Sequence, residues 1–184
     1  MDARLVIVIT VAVVAIFLIA FFILRRKRTE NLRKRFGPEY DRAVREIGPT
    51  RAELNLRERE KRVEKFSIRE LSAAEREHFL TEWRAVQSRF VDDPRGAAAD
   101  ADALVNQLMQ TRGYPMSDFA QRAADISVDH PRVVDNYRAA HEIALRQTRG
   151  HATTEDLRSA LIYYRSLFDE LLETTSTGIK REVA

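Results

Sequence analysis

Residues 72–113 read SAAEREHFLTEWRAVQSRFVDDPRGAAADADALVNQLMQTRG, and the stretch carries helix signals at its start, middle and end. Ser72-Ala73-Ala74-Glu75 is a capping-box pattern, in which the serine hydroxyl accepts from the Glu75 amide while the Glu75 carboxylate reaches back to the Ser72 amide. It opens a helix to about residue 91. Phe79, Trp83, Val86 and Phe90 recur along it at three- and four-residue steps, which makes one face apolar and aromatic. Asp92-Asp93-Pro94 then closes that helix and starts another, with Asp93 as N-cap and Pro94 at the first helical position, where a missing amide hydrogen costs nothing. The second helix turns Ala97, Ala101, Leu104, Val105, Leu108 and Met109 inward, and Gly113 supplies a left-handed stop. Two amphipathic helices on a short connection are the seed of a helical bundle.

The same grammar continues downstream. Residues 118–126 predict a short helix with Phe119, Ala123 and Ile126 inward. Asp129-His130-Pro131 reads as the start of the next helix, which carries Val133, Val134, Tyr137, His141, Ala144 and Leu145 on one face and stops before Gly150. Thr153-Thr154-Glu155-Asp156 is a second capping pattern, launching a last helix to about residue 172 with Leu157, Leu161, Tyr164, Phe168 and Leu171 inward. Residues 173–184 have no periodicity and predict a disordered tail. Six glycines, five prolines and 32% charged residues agree with an all-α chain. The expected head is an antiparallel bundle of about four to five helices over residues 67–172.

Upstream the composition changes. Residues 5–24 form an apolar run in which Thr10 is the one polar side chain and no charge occurs. Twenty helical residues rise about 30 Å, the thickness of a bilayer's hydrocarbon core, so the run predicts a single transmembrane helix. It is too long for a typical signal-peptide core, Asp2 offsets Arg4 ahead of it, and it ends without an Ala-x-Ala site, which favours an uncleaved anchor. Arg25-Arg26-Lys27-Arg28 follows at once. Basic residues concentrated on this flank place residues 1–4 outside the cytoplasm and the rest of the chain within it. The twin arginines lie after the apolar core, where an export motif would not stand.

Residues 25–66 read as a basic juxtamembrane stem, broken at Gly37-Pro38 and Gly48-Pro49. Phe36, Tyr40, Val44 and Ile47 form a narrow apolar stripe within it, and residues 50–65 predict a solvated helix stabilised by Glu53–Arg57 and Glu58–Arg62 pairs at the favourable spacing. Arg25, Arg26, Lys27, Arg28, Arg33, Lys34 and Arg35 set topology and are the candidate contacts for anionic headgroups. Residues 25–70 hold 16 Lys/Arg against 9 Asp/Glu, whereas residues 71–184 hold 14 against 18, so the basic excess lies beside the membrane. No aromatic-interleaved basic face or zinc-finger spacing accompanies it, which argues against nucleic acid. Self-association through the stem is weakly supported, its apolar stripe being thin and interrupted.

Signals for chemistry are sparse. The chain has no cysteine, which removes disulfides, thiolate catalysis and thiolate-held metals. His141-Glu142 begins like a zincin motif, but position 145 is Leu145 where a second histidine would stand. No Gly-x-Ser-x-Gly elbow, Gly-x-x-x-x-Gly-Lys loop or Gly-x-Gly-x-x-Gly turn occurs. Tyr137, His130 and His141 are the candidates for a pocket between helices. Against that stand capping at a helix start for His130 and core packing for Tyr137 and His141. No catalytic residue, metal ligand or cofactor is assigned.

Four stretches carry a resemblance: RFGPEYDR (35–42), RFVDDP (89–94), RGYP (112–115) and VDHPR (128–132). They resemble segments of a bacterial family of single-pass membrane-anchored helical proteins with no activity attached to it. The resemblance implies the inner membrane of a bacterium and carries no site residue, cofactor or partner. The expected function is a membrane-tethered cytoplasmic helical module with a scaffold or protein-interaction role toward a protein partner still to be identified. The alternative is a small-molecule sensor or enzyme with its site between bundle helices.

Overall fold

The computed structural model describes residues 3–173, the side chains at 3–11, 14 and 15 excepted. Among them are eight helices and no strand: α1 (Ala3–Phe36), α2 (Pro38–Ile47), α3 (Pro49–Val63), α4 (Ala73–Arg89), α5 (Pro94–Arg112), α6 (Phe119–Asp129), α7 (Val134–Thr148) and α8 (Thr154–Glu173). The chain is all-α and its larger part is a helical bundle. The tail expected at 173–184 lies, beyond Glu173, outside the described residues, as do residues 1 and 2. Two compact units divide the chain, residues 1–56 and residues 57–184.

In the larger unit α8 packs on α5 and α7, α4 on α5, and α6 on α7. Its core is built from Phe79, Trp83 and Val86 of α4, Leu104, Val105, Leu108 and Met109 of α5, Tyr137 of α7, and Tyr164, Leu167, Phe168 and Leu171 of α8. Trp83 stacks on Phe168 with ring centroids 4.6 Å apart. Arg165 lies over the indole ring, its Cζ 5.5 Å from the centroid.

The helix ends follow the local chemistry. Ser72 Oγ accepts from Glu75 N at 3.2 Å and the Glu75 carboxylate accepts from Ser72 N at 2.8 Å, a complete capping box. Arg69 beside that carboxylate, with the Ser72 bonds, holds Glu75 at about 2, well below the usual carboxylate range. Thr153 and Asp156 make the equivalent pair at the start of α8, Asp156 N donating to Thr153 Oγ1 at 3.1 Å and Thr153 N to Asp156 Oδ2 at 2.9 Å. Asp93 caps α5 by accepting from Gly96 N at 2.9 Å. Gly113 ends α5 at φ 97°, in the left-handed region.

Three local expectations change. Asp129-His130-Pro131 does not open α7: α6 continues to Asp129, and His130 N donates to Ile126 O at 2.8 Å as its C-cap. The proline that follows disfavours helical geometry at His130, so the helix stops there and α7 begins only at Val134. The inward face of α7 is then Val134, Tyr137, Ala140 and Ile143, while Leu145 is exposed and His141 half-buried. The helix expected to be solvated over 50–65 buries Ala52, Leu56 and Val63. The small Ala52 completes a stripe that a count of large apolar residues misses. In the larger unit, the C-terminal part of α3 is tied to α6 by Arg62 Nε to Asp125 Oδ1 at 2.8 Å and Arg59 Nη1 to Ser127 Oγ at 3.1 Å.

The smaller unit contains α1, α2 and the start of α3, with Leu32, Phe36, Tyr40, Ala43, Ala52 and Leu56 buried. Thr29 Oγ1 donates to Glu53 Oε1 at 2.7 Å, and Arg33 lies 3.4 Å from Asp41. Among the described residues no helix is long and apolar enough to cross a membrane. The run at 5–24 falls partly outside that set, because residues 3–11, 14 and 15 carry no described side chains.

Candidate functional site

The basic residues singled out on α1 stand on one continuous helix. Arg25, Arg26, Lys27 and Arg28 are consecutive and exposed, and Arg33, Lys34 and Arg35 are exposed one to two turns later. At 100° per residue, four consecutive positions circle the helix, so Arg25–Arg28 form a collar with no uncharged face. Arg26 is paired with Glu30 at 3.2 Å, a bond that leaves the collar's excess positive charge standing. Preceding the collar, residues 16–24 are all exposed; Ile16, Phe17, Leu18, Ile19, Phe21, Phe22, Ile23 and Leu24 lie between 52% and 72% exposed. These side chains point in every direction around the helix.

The three pocket candidates fall into two networks of the bundle that share no residue. His130 belongs to the first, with Arg112, Tyr114, Asp129 and Glu170. It is 1% exposed, its Nδ1 lies 3.4 Å from Glu170 Oε1, and its buried Nε2 has no hydrogen-bond partner among the described residues. Arg112 is also buried, its Nη1 donating to the Leu171 carbonyl near the C-terminus of α8, where a cation meets the negative end of the helix dipole. Tyr114 Oη donates to Asp129 Oδ2 at 3.0 Å. Burial holds the His130 imidazole below its ordinary value, against the opposing pull of Glu170 and Asp129.

Tyr137 and His141 belong to the second network. Tyr137 Oη donates to Asn106 Oδ1 at 3.3 Å and accepts from Arg122 Nε at 3.3 Å, and Asn106 Nδ2 donates to Asp102 at 3.1 Å. Phe119 sits between the two candidates, stacked on His141 at 3.5 Å and tilted against Tyr137 at 4.9 Å. Burial, then the charge of Asp102, raises the Tyr164 hydroxyl well above the ordinary phenol value, and that hydroxyl forms no well-directed hydrogen bond. Tyr137 is fully buried and tied at both ends of its hydroxyl, which is the arrangement of a core tyrosine that fixes helix register.

His130 and His141 stand in separate networks, and among the described residues no serine or threonine hydroxyl is hydrogen-bonded to either imidazole. Among the described residues no group of three or more His, Asp or Glu side chains is arranged to hold a metal ion. The residues that sequence reasoning missed are Arg112 and Arg122. Arg112 had one available signal, a basic residue in the last helical position just before the Gly113 stop. Arg122 had none.

The two lowered histidines make the bundle's stability depend on pH. Burial depresses His130 and, less completely, the half-buried His141 below the ordinary value near about 6.5. Below that value the unfolded chain binds protons that the folded chain does not, so stability falls as pH drops through it toward the depressed values. Thermal melting is expected to show a lower midpoint at about pH 5 than at about pH 7. His130→Gln should flatten that slope more than His141→Gln, and an equal slope in both variants would contradict the burial argument. The lowered carboxylates Glu75, Asp93 and Asp156 titrate in a lower window and do not contribute here.

Comparison with protein-family models, with curated proteins and with solved structures finds no match for this chain.

Proposed function

We propose that the chain is a single-pass membrane protein of the bacterial inner membrane, in which α1 anchors a helical module in the cytoplasm. One observation carries the reading: apart from Ala20 the side chains at 16–24 are large, apolar and exposed on every side of the helix, and the basic collar follows at once. In water this arrangement is costly, since each large apolar side chain left exposed forgoes about 1.5 to 3 kcal/mol of burial. In lipid the same surface is satisfied, and the helical backbone leaves no unpaired groups. At 1.5 Å per residue α1 is about 50 Å long, more than the hydrocarbon core, so its last turns continue past the collar as helix.

The bundle is the module so tethered, with its helices in antiparallel order, and its role is that of a protein-binding or scaffold head. Support comes from the way its polar side chains are used. Capping boxes, the Arg62–Asp125 bond and the Tyr137 network all serve the fold, which leaves the outer surface as the part free to meet a partner.

After an alkaline carbonate wash, the full chain is expected in the membrane pellet and a chain starting at Thr29 in the supernatant. A full chain released by carbonate would sink the anchor. The absence of native cysteine gives a clean test of direction. A cysteine replacing the exposed Val91 should react with an impermeant maleimide in inverted inner-membrane vesicles and not in intact spheroplasts.

A further inference from the structure

We propose that the corner joining α2 to α3, residues 45–54, is a second membrane contact that binds anionic lipid headgroups beside the collar of α1. The inference rests on the anchor reading above and adds a surface that the collar itself does not contain. Two contacts within the smaller unit bring this corner back toward the level of the collar. Thr29, the residue that follows Arg28, donates to Glu53 of α3 at 2.7 Å. Arg33 of α1 lies 3.4 Å from Asp41 of α2, and Asp41 to Ile47 is a climb of about 9 Å along α2. The chain that left the collar along α1 therefore returns along α2, and α3 starts beside Thr29.

The corner has the composition of an interfacial segment. Ile47 is 44% exposed and Leu54 57% exposed, two large apolar side chains that the unit leaves outside its own core. Arg45 and Arg51 are exposed between and beside them. The nearby acids are engaged: Glu46 accepts from Arg42 Nε at 2.8 Å, and Glu53 accepts from Thr29 and, at 3.4 Å, from Tyr40 Oη. Apolar tips at the acyl boundary with guanidinium groups at the phosphates are how amphipathic segments hold an anionic surface. Continuity with Arg25–Arg28 supplies the charge complementarity, since both present cations at one depth. A surface held at two places would orient the start of α3 against the bilayer, where a lone collar would leave it free to swivel.

The test uses the full chain in vesicles of phosphatidylcholine alone and in vesicles that also contain phosphatidylglycerol. Ile16→Cys, Ile47→Cys and Leu54→Cys each give a unique site for a nitroxide label, whose collisions with oxygen and with a water-soluble nickel chelate report depth. Labels at 47 and 54 are expected to shift from nickel-accessible to oxygen-accessible when phosphatidylglycerol is present. Arg45→Gln with Arg51→Gln should return them to the phosphatidylcholine value. Nickel-accessible labels at 47 and 54 with phosphatidylglycerol present, or values equal in the two lipids, would overturn the proposal. The label at 16 separates the two readings. If it is oxygen-accessible while 47 and 54 stay in water, the corner proposal alone fails; if it too is in water, the anchor fails.

Discussion

Trp83→Ala is expected to destabilise the bundle by about 3 to 5 kcal/mol, a large share of the roughly 5 to 15 kcal/mol that holds an ordinary domain folded. The indole is 1% exposed, is stacked on Phe168 at 4.6 Å and has Arg165 over its ring. Its removal leaves a cavity where α4 packs against α5 and against Phe168 of α8. Among the described residues the indole nitrogen has no hydrogen-bond partner, so the loss is one of packing together with the Arg165 cation–π contact. Trp83→Phe keeps the stack and should recover more than half of the loss. Urea denaturation followed by circular dichroism checks both, and a Trp83→Ala midpoint within error of the parent would show that the core does not depend on this ring.

Gly113→Ala is expected to cost about 2 to 4 kcal/mol from two separate causes. The residue sits at φ 97°, where a side chain is strained by about 1 to 2 kcal/mol. An added Cβ would also meet the carbonyl oxygen of Ser67, a backbone atom that cannot rotate away. Movement of that segment is resisted, because Arg69 N donates to Arg112 O at 2.9 Å and Phe66 and Ile68 pack on the core. Gly150→Ala is the control. Gly150 also has positive φ, at 75°, but among the described residues nothing lies near its Cβ direction, so it should lose only the conformational part. If the two variants melt together, the Ser67 contact contributes nothing.

The helices were legible for a physical reason. A capping box, an N-cap aspartate before proline and a left-handed glycine are decided by hydrogen bonds within a few residues of chain, so Ser72–Glu75, Asp93–Pro94, Gly113 and Thr153–Asp156 could be read directly. The aromatic stripe of α4 was legible too, because Phe79, Trp83 and Val86 recur at helical spacing after a well-marked start at Ser72. Where the start itself was misplaced, the inward face shifted with it. On α7 the periodicity points to Leu145, whereas the helix buries Ile143, because both fit a helical period and the choice depends on where the helix starts.

The candidate site was less legible than the fold. His130 and His141 could be named as residues, but not their separation into two networks or the partners that occupy them. Arg112 reaches the Leu171 carbonyl and Arg62 reaches Asp125, each across about sixty positions of sequence. Nothing local marks such a pair.

By itself the sequence determined the all-α class, the capped starts of α4, α5 and α8 and the glycine stop of α5, the apolar run with its basic flank, and the absence of cysteine, because each depends on composition or on bonds within one turn. Only the tertiary structure decided that His130 is buried beside Arg112, that Tyr137 is tied to α5 and α6, and that α3 returns to Thr29. Those outcomes depend on which surfaces meet when helices pack. Packing free energy is a property of two faces together, and a pattern along one chain segment specifies only its own.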